Sequence, residues 1–245
     1  MFSDIAALFK TNARDVERLI DFDRDVIDVM IMSLDSLKKD VPSKEHVLRG
    51  RIDRVSSIIT GIRNNESLKS KYGVVCNQAV VLLVSHFASA LGDMFRKAVS
   101  DSLDRDDSKS LLDEELKLTF RDMKERSWNL KESAADLLIA KKDLTFQDMQ
   151  STVRAFDTYV NIQIEKDQRT NNIILGQAAR HVIVHSSGRV TGRMIKQVSR
   201  ADPRTLKPSL TLDELLIFAK EEVLELKSEM VDYVEALASK LASQE

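Results

Sequence analysis

The chain has 245 residues, 43% of them apolar, which is enough to bury a sizeable core within one domain. Seven Gly, three Pro and 5% aromatics leave little for the turns and strands of a β-rich fold and favour an all-α protein. A formal charge of −2 excludes general affinity for polyanions, and a single cysteine, Cys76, excludes an internal disulfide and fits a reducing, cytoplasmic setting.

In chain order, residues 1–72 read as a helical hairpin ahead of a core over 73–245, the whole forming one domain. Val16, Leu19, Ile20, Ile27, Met30, Ile31, Leu34 and Leu37 keep helical spacing on a charged background. Pro42 stops that helix, and Ser43 is a candidate N-cap for the next, which carries Val47, Ile52, Val55, Ile58, Ile59 and Ile62. Asn64 and Asn65 mark a break. The opening residues are too short an apolar run for a signal peptide.

A strongly apolar helix is expected over 74–102. Val80, Val84, Phe87, Leu91, Met94, Phe95 and Ala98 form its stripe, with Leu82 and Leu83 widening it. Asn77, Gln78, Ser85, His86 and Asp93 interrupt the segment, so it reads as a buried helix and not as a membrane span. Its polar line, Ser85, Ser89, Asp93 and Arg96, faces either a site or solvent.

Further helices are expected over 108–126 and 130–142, with Trp128 plugging the junction. Another should run from Thr145 as N-cap, with Asp148 at its third position, to about Ile164. Asn171 and Asn172 are expected to fray the next helix, which Gly188 should end in a left-handed conformation. From Arg180 to Lys207, seven Lys or Arg face one acid, Asp202, whereas nine acids oppose three lysines from Thr211 onward. The basic stretch reads as a long loop with a short hairpin over 190–198. It is either a phosphate-contact surface through Arg189, Arg193 and Lys196, or the pairing partner of the acidic last helix. Thr211 with Glu214 reads as the capping box of that helix.

The residues most suited to chemistry lie in Ile173–Gly188. On a regular helix Arg180 and His185 are about 140° apart and about 7.5 Å along the axis, whereas His181 and His185 share a face. Three readings follow. The histidines could hold a metal, but Val182 occupies the place where a zinc protease has Glu. Arg180 and His185 could simply complete a helix end. Alternatively, His185 moves protons and Arg180 holds phosphate charge, as in RNA cleavage, with a two-fold dimer supplying both acceptor and donor.

The stretch RHVIVH, its Ser-Ser-Gly exit, the preceding helix VVCNQAVVLLVSHFASALGDMF, the loop beginning GRV and a closing helix entered through SLTLDEL resemble the HEPN superfamily, from about Val74 to the end. The resemblance implies a HEPN-like helical bundle and a metal-independent endoribonuclease in which the ribose 2′-hydroxyl attacks the adjacent phosphate. It further implies a homodimer with a composite site, no cofactor, and a prokaryotic defence, stress or toxin role. On it, Arg180 and His185 are catalytic, and His181 supports them. Where relatives carry Glu near the site this chain reads Leu91-Gly92-Asp93, so Asp93 is the candidate substitute. RNA is the implied partner, an antitoxin or neighbouring defence protein a further one. The competing expectations are a non-catalytic RNA- or nucleotide-binding module and a helical interaction protein.

Overall fold

The computed structural model describes residues 1–42, 45–64, 69–105, 109–164 and 167–244. Among these the protein is all-α: ten helices and no sheet, with one isolated antiparallel bridge between Arg189 and Leu215.

Helix α1 (Phe2–Asp40) stops at Val41, whose extended backbone is the conformation that a following proline imposes. Its first half belongs to the core, burying Phe2, Phe9, Ala13, Val16 and Ile20. Its second half pairs with α2 (His46–Arg63), which buries Ile52 and Ile59. The expected Ser43 cap and the Asn65 half of the expected break lie outside the described residues.

Helix α3 (Lys69–Arg105) is the axis of the bundle, and α1, α6, α7, α8 and α10 all pack on it. Residues 73–104 are long and apolar enough to cross a membrane. Here that apolarity is used in packing, because Val80, Leu83, Val84, Phe87, Leu91, Met94 and Phe95 are buried. Leu82 is a correction: it faces outward, away from the stripe it was expected to widen.

The single helix expected over 108–126 is two short ones, α4 (Lys109–Leu112) and α5 (Phe120–Glu125), with residues 114–119 in neither helix nor strand. The restart is a capping box, in which Thr119 and Asp122 each take the other's backbone N–H. Trp128 does not plug the junction. It has φ 63° and stands 61% exposed, because a left-handed pair at Ser127 and Trp128 turns its ring away from the core.

After α6 (Leu130–Lys141), α7 (Met149–Val160) is capped by Asp148 and not by Thr145: the Asp148 carboxylate accepts the Ser151 N–H at 2.7 Å. It ends four residues earlier than expected, since Asn161 adopts the left-handed conformation (φ 55°).

Helix α8 (Gln168–His185) runs unbroken through Asn171 and Asn172, contrary to the expected fraying. Both asparagines are buried and used. The Asn172 oxygen accepts the N–H groups of Thr205 and Leu206, its nitrogen donates to Thr205 Oγ1 and Glu229 Oε1, and Asn171 donates to the Pro203 carbonyl. Tertiary hydrogen bonds thus override the weak helix propensity of asparagine. At Gly176 a Cβ would meet Leu226 Cδ2 at 2.9 Å, so a glycine is what allows this approach to α10. Beyond the helix, Gly188 is left-handed as expected (φ 73°), and Ser187 is too (φ 52°).

The hairpin expected over 190–198 is instead a helix, α9 (Gly192–Val198), capped by Thr191, whose hydroxyl accepts the Met194 N–H at 3.2 Å. The last helix, α10 (Lys220–Ala242), starts after Ala219. The expected capping box at Thr211 and Glu214 is therefore absent; residues 213–216 cross 188–190 instead, with Val190 and Asp213, Val190 and Glu214, and Gly188 and Leu216 joined by backbone hydrogen bonds. That crossing alternates, with Leu216 and Phe218 buried and Leu215 and Ile217 exposed.

The Glu229 carboxyl is pushed up to about 7, first by burial and further by Glu225, against the opposing hydrogen bond from Asn172. A carboxyl raised above its ordinary 4.5 contributes stability that is fully present below that value and is lost as pH rises through about 7. Glu229→Gln keeps the acceptor for Asn172 and cannot ionise. Its unfolding free energy in denaturant, relative to wild type, should rise between pH 4.5 and about 7 and then level off; a pH-independent difference would contradict this.

Candidate functional site

The last two turns of α8 carry the three residues that the sequence singled out, and they point in two directions. Arg180 is half-buried and turns toward α3 and the 144–147 turn, where Nη1 donates to Gln147 Oε1 at 3.3 Å. Its Nε is buried and has no hydrogen-bond partner. The side chain lines a cavity of about 560 Å³ whose opposite wall is the α3 polar line, Ser85, Ser89, Asp93 and Arg96. Arg180 and Asp93 are thus brought to one cavity. His185 does not line it.

Within the cavity wall the charges are largely spoken for. Arg96 Nη1 donates to Asp93 at 3.0 Å and Nε to Asp136 at 2.8 Å, and the Ser85 and Ser89 hydroxyls donate to the carbonyls one turn back. Arg180 differs in that its one hydrogen bond goes to a neutral amide. That leaves on the cavity wall a guanidinium with no carboxylate partner among the described residues, the kind of group that suits an anionic oxygen.

His185 is exposed at the C-terminal end of α8, its ring centroid 4.9 Å from that of half-buried His181 and tilted by 51°. The pKa of His181 is lowered, first by burial and then by the nearby charges of Arg193, His185 and Arg180. Its surroundings therefore favour the neutral imidazole. Among the described residues, no three of His, Cys, Asp and Glu converge as metal ligands do.

A second cavity, about 600 Å³, lies between the start of α7 and the α9 region, lined by Asp148, Gln150, Arg193, Lys196, Ser199 and Arg200. Gln147 lines the first cavity and Asp148 the second, so one turn separates them. Arg193, Lys196 and Arg200 are exposed, and among the described residues no acid pairs with them. Asp148 brings one carboxylate to the same wall, where it accepts the Ser151 N–H as the cap of α7.

The other basic residues are used internally. Arg189 Nη1 donates to the Asp213 carbonyl at 2.8 Å, which fastens the crossing at 188–190. Arg204 donates to the carbonyls of Val198, Ala201, Lys207 and Pro208. Lys207 pairs with Glu222 at 2.7 Å, and the Thr205 hydroxyl donates to Glu225, so the basic stretch meets the acidic last helix at these two points.

Two contributors escape a reading of the sequence. Gln147, the partner of Arg180, carries no signal at all. Arg200 does: Arg193, Lys196 and Arg200 follow an i, i+3, i+7 pattern, which is one helical face, and treating 190–198 as a hairpin hides it.

Comparison with family models, with curated proteins and with solved structures finds no match for this chain.

Since burial is the first cause of the lowered His181 value and Arg193 the second, Arg193→Gln should raise the His181 titration midpoint without restoring it to its ordinary 6.5. Imidazole proton shifts followed by NMR across the titration measure this, and an unmoved midpoint would show that Arg193 exerts no field there.

Proposed function

We propose that this protein is an endoribonuclease of the HEPN kind, cutting RNA by 2′-hydroxyl attack without a metal or other cofactor, in a prokaryotic cytoplasm and in a defence, stress or toxin role. The observation that carries the reading is that one helix end presents an under-committed guanidinium on one side and an exposed imidazole on another, with a three-cation cleft one turn of chain from the guanidinium's cavity. The resemblance of Arg180–His185 and its flanks to that superfamily supplies the chemistry.

In this reading Arg193, Lys196 and Arg200 track the RNA backbone by charge alone, which fixes position without choosing sequence. Arg180 binds the non-bridging oxygens of the scissile phosphate, where negative charge grows as the fifth bond forms. His185 takes the proton of the 2′-hydroxyl. The 2′-oxygen bonds to phosphorus, the P–O5′ bond breaks, and the departing 5′-oxygen takes a proton from a second imidazole, leaving a 2′,3′-cyclic phosphate and a 5′-hydroxyl. Because Arg180 and His185 turn to different sides of α8, a second copy contributing its own helix end completes the set. Neutral His181 orients its neighbour without adding charge. Asp93, held to Arg96, serves the wall of the Arg180 cavity.

A second reading, a non-catalytic RNA-binding module, is favoured by the absence of His185 from the cavity that Arg180 lines. It keeps the cationic cleft and drops the proton transfer.

With chelator present, purified protein should cleave single-stranded RNA to cyclic-phosphate ends, and His185→Ala or Arg180→Ala should lose roughly 100-fold or more in rate. Equal rates for wild type and His185→Ala would remove the ribonuclease assignment. Replacing Arg193 and Lys196 together by Gln should raise KM with kcat little changed and reduce the salt dependence of binding by about two counterions. Salt-sensitive binding with no turnover at any enzyme concentration selects the second reading.

A further inference from the structure

The α1–α2 hairpin carries more apolar surface than it buries. On α1, Ile27, Ile31 and Leu34 are half-buried toward α2, and on α2 Ile52 and Ile59 are buried toward α1. A second stripe runs beside each of these: Phe22, Val26 and Val29 on α1, and Val55, Ile58 and Ile62 on α2. At about 100° per residue it lies about 140° round from the inner stripe on α1 and about 80° round from it on α2. The intervals of four and three residues are those of a helix–helix seam.

The two stripes fall on the same side of the hairpin. Each is offset from its inner stripe in the same rotational sense, and α2 runs antiparallel to α1, so both offsets turn toward one face. Phe22 and Val29 are 62% exposed and Ile58 57%. Single exposed apolar side chains are ordinary, but an apolar face two helices wide is not. With about 1.5 Å of rise per residue over α2 and a width of about 20 Å, it offers about 500 Å² per copy, so two such faces together reach the roughly 1,000 Å² of a specific interface.

Charge identifies the occupant. Residues 21–40 of α1 hold six acids against three bases, whereas α2 holds four arginines against one aspartate. Within one copy, Arg63 pairs with Asp28 at 3.1 Å and Lys38 with Asp53, and these pairs set the level of α2 against α1. By that register Asp40 and Arg51 stand at one level on the apolar side, both exposed, and among the described residues neither has an ion-pair partner. A partner of one sign, or an anionic lipid surface, would oppose one of the two helices. A second copy of this chain answers both.

We infer that the hairpin faces of two copies pack together as an antiparallel four-helix bundle, the acidic α1 of each lying on the basic α2 of the other. A two-fold axis along the hairpin brings Asp40 of each copy to Arg51 of the other and repeats every contact. The inference stands apart from the ribonuclease reading, since α8 packs chiefly on α3, α7, α9 and α10.

Sedimentation velocity of the full chain at micromolar concentration tests it. The expected result is a dimer or a multiple of one, with Val26→Glu and Ile58→Glu halving the mass while the helical circular dichroism persists. Asp40→Arg and Arg51→Asp should each raise the dissociation constant about tenfold, and the double exchange should restore it, which a folding defect would not do. A monomeric wild type, or a monomer that binds lipid vesicles through this face, overturns the inference. So does a dimer unaffected by the hairpin substitutions, which would put self-association elsewhere and leave the proposed chemistry untouched.

Discussion

The positions of Arg180, His181 and His185 follow from the burial of α8 between α3 and α10. Ile173, Leu175, Ala178, Ala179 and Val182 are all buried, and at Gly176 the helix comes so near α10 that a methyl group would collide with Leu226. A helix seated this closely cannot roll without breaking contacts on two sides. Its last exposed turns are therefore carried on a rigid base, and the directions of Arg180 and His185 are set by the packing of residues one and two turns earlier.

The same seating organises the polar side of the molecule. The turn 144–148 lies against the site because Phe146 packs on Phe95 at a centroid distance of 5.2 Å and Asp148 caps α7. Gln147 is held between those two anchors and meets Arg180 there. On the far side of this turn, α9 and the turn that follows it bring three cations to one cleft. Neither cavity is built by a single element, so neither exists until the core has formed.

The all-α architecture was legible because long apolar periods and an X-Pro stop at Val41-Pro42 are local signals. The polar line of α3 was legible for the same reason, and it does wall a cavity. What was not legible depended on partners distant in sequence. Asn171 and Asn172 read as helix breakers until Pro203 satisfies the first and Thr205, Leu206 and Glu229 the second. Arg204 reads as a surface cation until four carbonyls surround it, which is why a charge count over Arg180–Lys207 overstates what a polyanion would meet. The capping signals at Thr119 and Thr191 were present in the sequence, but they compete with similar patterns, such as Thr211 with Glu214, that the fold leaves unused. Where two candidate caps lie a few residues apart, as at Thr145 and Asp148, local pattern does not decide between them, and the burial of Met149 does.

The side chain of Asn172 has one further effect. Thr205 and Leu206 lie in irregular backbone, yet their amide hydrogens are claimed by an oxygen that belongs to the middle of a buried helix. Solvent reaches those hydrogens only when α8 and the 203–206 segment part. This stretch of coil is therefore tied into the same cooperative unit as the bundle, and it opens on the timescale of the core, not on that of a loop.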